Sequence, residues 1–238
     1  MVQRDIITTL KLLLASFLFV AAGAAAATEG RWAADFENGS LDDWHLTVPS
    51  DWRIVESNGN SVLRLDKAGP VGANPRRPVK LALWKPGCAS SFDLELRVKR
   101  DPIQPTESDV LLIFGFQDKL HFYYAHLSSD DGNVAVHNGI FRVNGGDRER
   151  IAGTGAAPAL PDESWHRVRL TREVETGEIE LFLDNDAEPR FRVADRTHSH
   201  GLVGVGSFDN TGEFDDLRLT GTISTECLPD QIQTLDVP

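Results

Sequence analysis

From residue 28 onward the chain alternates apolar and polar positions. SVLRLD (61–66), FDLELRVKR (92–100), WHRVRLTREV (165–174) and EIELFLDN (178–185) all repeat with a period of two. That period, carried by β-branched and aromatic residues, marks half-buried strands. Turn signals separate the runs: SNGN at 57, DDGN at 130, NGGD at 144, ETG at 175 and NTG at 210. VETGEIEL reads as a tight hairpin between two long strands. No window after the first 27 residues has the 3.6-residue period of an amphipathic helix. The pattern predicts an all-β fold, a two-sheet antiparallel jelly-roll sandwich. Two Gly/Pro-rich loops, 66–79 and 152–164, are too short to link domains, so one domain is expected over 28–222. Periodicity is lost at 223, and 223–238 reads as a tail.

Residues 1–27 break the pattern. Arg4 and Lys11 precede an apolar run at 12–20, and small alanines follow. This order is that of a secretory signal peptide cut near 25–27. The apolar run is shorter than the ~20 residues of a membrane span, and no basic stop-transfer cluster follows it. A secreted or periplasmic protein is expected, without membrane attachment after cleavage. Cleavage removes two of the 24 basic and one of the 36 acidic residues, taking the net charge from −12 to −13. Such a surface repels phosphate backbones, and no basic patch interleaved with aromatics stands out, so nucleic acid is excluded as a partner. A polyanionic glycan is disfavoured for the same reason unless a local basic pocket exists. The two cysteines, Cys88 and Cys227, are expected to pair in an exported protein, the alternative being two separate thiols. Their wide separation lacks the spacing of zinc ligands.

The chemistry-bearing stretch is KLHFYYAHL, 119–127. In a strand, Tyr123, Ala125 and Leu127 share one face with His121 at its end. Phe122, Tyr124 and His126 share the other. The more apolar first set suits the inter-sheet core, which places Tyr124 and His126 on an open groove. The next strand, HNGIFRVNGG, is expected to give Phe141 and Val143 to the core. Asn138, Ile140, Arg142 and Asn144 then take the groove side, with His137 near the strand's start. A groove of Tyr124, His126 and Arg142, with Asn138, His137 and His121 nearby, could serve a sugar. Tyrosine stacks on a pyranose and hydrogen-bonds, histidine exchanges protons near neutral pH, and arginine holds an anion by two donors. The alternative is a solvated sheet face with a Tyr–His hydrogen bond.

Paired carboxylates are the other candidate chemistry. A retaining glycosidase holds two of them ~5 Å apart. The E-x-D-x-x-E strand of jelly-roll glucanases is absent, and Glu178, Glu180 and Asp184 have the spacing of a solvated face. DFENGSLDDW (35–44) and EFDDLRLTG (213–221) open and close the fold. If the first and last strands are neighbours, Glu37, the 38 and 39 carbonyls and Asp216 offer oxygen ligands to Ca²⁺. An Asx-capped turn with an acidic edge is the alternative.

FENGSLDDW, HFYYAHL, WHRVRLTREVETGEIELFLDN and GLVGVGSFDNTGEFDDLRL together resemble secreted bacterial concanavalin A-like jelly rolls, near the laminin-G-like and 3-keto-disaccharide hydrolase-type domains. The resemblance spans about 32–221. It implies a glycan-related role, with an oligo- or polysaccharide as partner, and often a structural calcium, matched here by Glu37 and Asp216. It supplies no catalytic assignment, because this fold hosts binders and enzymes alike. Two functions follow: a secreted glycan-binding protein, or a glycan-cleaving enzyme (3-keto-glycoside hydrolase or polysaccharide lyase) working through Tyr124, His126 and Arg142.

Overall fold

A computed structural model of the chain describes residues 27–69, 74–102, 108–130, 136–153 and 158–225. The proposed signal peptide, but for Ala27, lies outside them. Fifteen strands and one short 3-10 turn (Pro49–Asp51) make up the regular structure of these residues. The strands form two antiparallel sheets. The eight-stranded sheet comprises β1 (Thr28–Ala34), β3 (Trp52–Ser57), β4 (Asn60–Leu65), β6 (Cys88–Arg100), β11 (His166–Glu173), β12 (Glu178–Leu183), β13 (Phe191–Ala194) and β15 (Gly212–Ser224). The seven-stranded sheet runs in the order β10 (Glu149–Ala152), β9 (Gly139–Asn144), β8 (His121–Ser128), β7 (Asp109–Asp118), β14 (Leu202–Ser207), β5 (Lys80–Trp84), β2 (Trp44–Leu46). The first and last strands are neighbours as expected, in register from Thr28↔Ile223 to Ala34↔Leu217. β15 runs two residues past the expected domain end, since Ile223 and Ser224 still pair with Ala89 and Cys88.

The two sheets bury different amounts of themselves. β6, β11 and β12 alternate buried residues with half-buried or exposed ones, because one face meets the other sheet and the other meets water. β5, β7, β8 and β14 are buried almost end to end. Their inward residues, among them Ala82, Leu112, Tyr123 and Val205, join the inter-sheet core. Their outward residues, among them Leu83, Ile113, Phe122 and Tyr124, form a second apolar cluster on the far face of the seven-stranded sheet. A β-bulge in β7 switches faces: Phe114 packs in the first cluster and Phe116 in the second. Gly115 between them has φ of +57°, and the β7–β8 register shifts there. A Cβ on Gly115 would meet the Tyr123 ring at 3.1 Å.

Cys88 is buried at the start of β6, and no cysteine among the described residues is free. Cys227 lies outside the described residues. The β6–β15 register puts Ser224 opposite Cys88, so the chain passes that cysteine three positions before Cys227. We expect a Cys88–Cys227 bond that stabilises by up to ~4–5 kcal/mol, from the long loop it closes. Alkylation of the denatured, unreduced protein should label no thiol; two labelled cysteines would rule the bond out.

Candidate functional site

The alternation in β8 holds. Tyr123, Ala125 and Leu127 point into the inter-sheet core, and Tyr124 and His126 point away from it. The expectation of an open groove does not hold, because Tyr124 and His126 are 0% and 1% exposed. They form the floor of a cluster whose upper layer is cationic. Tyr124 stacks on Phe141 with centroids 5.0 Å apart, and His126 stacks on His137 at 5.1 Å. His137 Nδ1 lies 2.5 Å from an Asp130 carboxylate oxygen. Above this floor, Arg148 Nη1 donates to the Tyr124 hydroxyl at 3.1 Å. The Arg148 guanidinium stands 4.2 Å from the Phe208 ring centroid and 5.2 Å from that of Phe141. Arg76 takes Phe208 at 5.2 Å and Arg150 takes Phe141 at 5.4 Å. Two loops set this layer: Arg148 N donates to Arg76 O, and Arg76 N donates to Asp147. Arg76 is exposed; Arg148 and Arg150 are half-buried.

The electrostatics follow from burial beneath cations. His126 is held well below the ordinary imidazole range, first by burial and then by His137, Arg148 and Arg150. Burial likewise raises the Tyr124 phenol, with Arg148 opposing. Asp109, at the start of β7, is fully buried and pushed up to about 7; burial is the largest cause, opposed by the hydrogen bond from the Phe208 amide. Its Oδ1 accepts from Ser207 Oγ and Phe208 N, both at 2.9 Å, and its Oδ2 lies 3.9 Å from His126 Nε2. A neutral His126 is no proton donor near pH 7.

Arg142 is elsewhere, which corrects the expected convergence. The β8–β9 register pairs it with Tyr123 and pairs Tyr124 with Phe141. Arg142 therefore lies on Tyr123's face, where it donates to Asp195 (2.5 Å), Thr197 (2.9 Å) and Glu149 (2.6 Å). Phe141 and Val143 lie in the outer cluster and Ile140 in the inter-sheet core, the reverse of the expected assignment. His121, at the strand's far end, contacts Asp118 at 2.9 Å and the His198 ring at 6.1 Å. Asn138 is a structural residue with φ of +49°: its side chain accepts from the Ser128 and Ala159 amides and donates to Asp130 O. Of the expected set, the structure gathers Tyr124, His126 and His137, with Asn138 next in the chain, and separates Arg142 and His121 from them.

Glu37 and Asp216 are each engaged separately. Glu37 accepts from the Ser61 amide at 2.8 Å. Asp216 pairs with Arg97 at 2.8 Å and Arg218 at 3.2 Å. Among the described residues no group of three or more His, Cys, Asp or Glu side chains could hold a metal. Both carboxylate oxygens of Asp216 thus face arginines.

No family model and no curated protein sequence matches the chain. Solved structures do match its shape. The carbohydrate binding module CBM66 from Bacillus subtilis superposes with a TM-score of 0.51 at 16% identity, over 74% of this chain and 94% of that one. A xylan beta-1,4-xylosidase from Bacillus halodurans C-125 gives a TM-score of 0.54 at 17% identity, over 79% of this chain and 38% of the xylosidase. A Bacillus subtilis protein with a galectin-like fold gives 0.50 at 14% identity, over 83% and 99% of the two chains. The shared fold is a two-sheet antiparallel jelly-roll sandwich. At these identities the likeness is one of architecture, and it carries no side chain of the cluster across.

Sequence reasoning missed Arg76, Arg148, Arg150, Phe208 and Asp109. A signal for the arginines is present. Arg76 and Arg77 fall in one loop, and Arg148 and Arg150 follow a turn, in a chain of net charge −12.

Proposed function

We propose that this protein is a secreted or periplasmic glycan-binding jelly roll, and that it binds sugar where Arg76, Arg148 and Arg150 stand over Phe208 and Phe141. The observation that carries this reading is the layer of guanidinium groups held on aromatic rings, with a buried tyrosine hydroxyl beneath. Each guanidinium offers up to five fixed donors, and the rings and the Tyr124 hydroxyl hold some of them in place. Sugars present pairs of hydroxyl oxygens that such forks can grip. The carbohydrate binding module and the xylosidase with the same architecture support a glycan as the partner. The glycan-cleaving alternative needs Tyr124, His126 and Arg142 on one sugar, and the β8–β9 register puts Arg142 on the opposite face.

Calorimetric titration of the folded protein against a panel of neutral and acidic oligosaccharides tests the proposal. At least one should bind, and Arg148→Ala should weaken that binding about tenfold or more, as expected when a charged hydrogen-bond donor is lost. A panel in which nothing binds would defeat the reading. Repeating the binding and melting measurements in EDTA tests the calcium expectation: a bound ion predicts a lower Tm in chelator, and Asp216→Asn should abolish that effect.

A further inference from the structure

We infer that the cluster around Phe208 selects an acidic sugar, a glycan residue bearing a carboxylate or a sulfate group. The inference rests on the binding reading above and names the ligand's chemistry.

Positive charge at this cluster is left unmatched. Several arginines elsewhere in this fold face carboxylates: Arg64 meets Asp101, Arg97 meets Asp215 and Asp216, Arg142 meets Asp195 and Glu149, and Arg169 meets Asp93, while the buried Arg77 and Arg172 meet none among the described residues. Among the described residues neither Arg76 nor Arg148 forms an ion pair. Both guanidiniums instead stand on the same Phe208 ring, and Arg148 Nη2 is buried without a hydrogen-bond partner. His126, 1% exposed, also leaves Nδ1 unpartnered in the floor beneath. The acidic groups close by are occupied. Asp130 holds His137, Glu149 holds Arg142, Asp109 accepts from Ser207 and Phe208, Asp147 accepts from the Arg76 amide, and Asp209 stands against Asp109, whose carboxyl it helps to raise. Arg148 and Arg150 press on each other, since the guanidinium of Arg150 is held below its ordinary range by burial and then by Arg148.

Holding like charges together over apolar rings is unfavourable in the free protein. An anion seated among them removes that cost and gains charge-assisted hydrogen bonds, with arginine's fork matched to carboxylate or sulfate oxygens. The chain's overall charge of −12 argues for a single acidic residue and against a long polyanion. Its repulsion is screened beyond ~8 Å at physiological salt, whereas the arginines act in contact. This is the local basic patch without which an acidic glycan would be repelled.

The test uses paired ligands on the full folded protein. Oligogalacturonate is titrated against its carboxyl-reduced counterpart, and a sulfated oligosaccharide against its desulfated counterpart. We expect at least one acidic member to bind about tenfold or more tighter than its neutral twin, with the advantage shrinking as salt rises from about 0.05 to about 0.5 M. The two arms tell carboxylate from sulfate. Arg76→Gln, a change at an exposed position, should erase most of that advantage without moving the Tm; Arg148→Gln should do so more completely. Equal affinity within both pairs, or an acidic preference that Arg76→Gln and Arg148→Gln both leave intact, overturns the inference while glycan binding survives. Tight binding of a neutral sugar alone overturns it too. Binding of no member of either pair, with a neutral glycan bound elsewhere in the panel, refutes the acidic preference, and a wholly silent panel refutes glycan binding as well.

Discussion

Replacing Tyr123 by alanine is expected to destabilise the protein by about 3–5 kcal/mol, as for other large buried aromatics. The side chain is fully buried in the inter-sheet core and stacks on Phe114, with centroids 5.2 Å apart. Its hydroxyl is tied into a clamp between the sheets. It donates to Asp195 and accepts from the His198 amide at 3.0 Å. Asp195 also accepts from Arg142 on β9. Arg172 on β11 lies with its guanidinium 5.0 Å from the Tyr123 ring centroid and donates to His198 O at 2.6 Å. Burial pushes the Asp195 carboxyl up, but the hydrogen bonds from Tyr123 and Thr197 and the Arg142 charge outweigh it and hold the group ionised below its ordinary range. Alanine removes the ring and leaves this network without its centre. Tyr123→Phe keeps the ring and removes only the hydroxyl, so its cost should be smaller, about 1–3 kcal/mol. Urea unfolding of the two variants separates packing from the clamp. A loss below about 1 kcal/mol for Tyr123→Ala would show that the site repacks and that the clamp carries little. Sugar binding should survive in whatever fraction stays folded, because the arginine cluster lies on the other face of the sheet.

Tyr123 also shows what is legible in the sequence. Its direction follows from alternation alone, and the structure agrees. So do the strands of the eight-stranded sheet, where one face meets water and polarity tells the faces apart. The same reasoning fails on β9. Phe141 and Val143 are more apolar than Arg142, which points them to the inter-sheet core. They do face an apolar cluster, but it is the one on the outer side of the sheet. Where both faces of a sheet are covered, period two still holds, but polarity no longer says which face is which. Ile140 and Phe141 are adjacent, both buried, and in opposite clusters. The left-handed Gly115 that flips Phe116 relative to Phe114 carries only a weak signal, an isolated glycine inside an apolar strand. The site is hidden for a second reason. Loops 74–79 and 145–148 lie about seventy residues apart and meet only because the fold brings Arg76 beside Arg148. No local spacing encodes that contact.

The buried Asp109 yields the other large effect, a stability that falls as pH rises. Its folded value of about 7 lies above the ordinary 3.8. Below about pH 4 both folded and unfolded chains carry the proton, and the group adds no pH dependence. Between about 4 and 7 the unfolded chain releases a proton that the folded chain retains. The folded state then binds more protons, and stability drops with rising pH until the folded group also ionises. An amide at this position cannot ionise. Asp109→Asn keeps an oxygen to accept from Ser207 Oγ and the Phe208 amide, and it places its new N–H₂ toward His126, 3.9 Å from the replaced oxygen. The variant should therefore gain on wild type by about 1–4 kcal/mol between about pH 4.5 and about pH 8. His126 works in the opposite sense. Its depressed value means stability is lost as pH falls below its ordinary range, so the wild-type curve alone would blur the two groups. The difference between variant and wild type, read by urea unfolding at each pH, largely removes His126, present in both, and reports Asp109 together with its interaction with the neighbouring Asp209. A difference that stays flat over that range, or one that turns against the variant, would mean that the Asp109 carboxylate is stabilised in its charged form. That outcome would place usable positive charge from His126 or the arginines on Asp109, and the cluster would no longer have cations to spare for an acidic sugar.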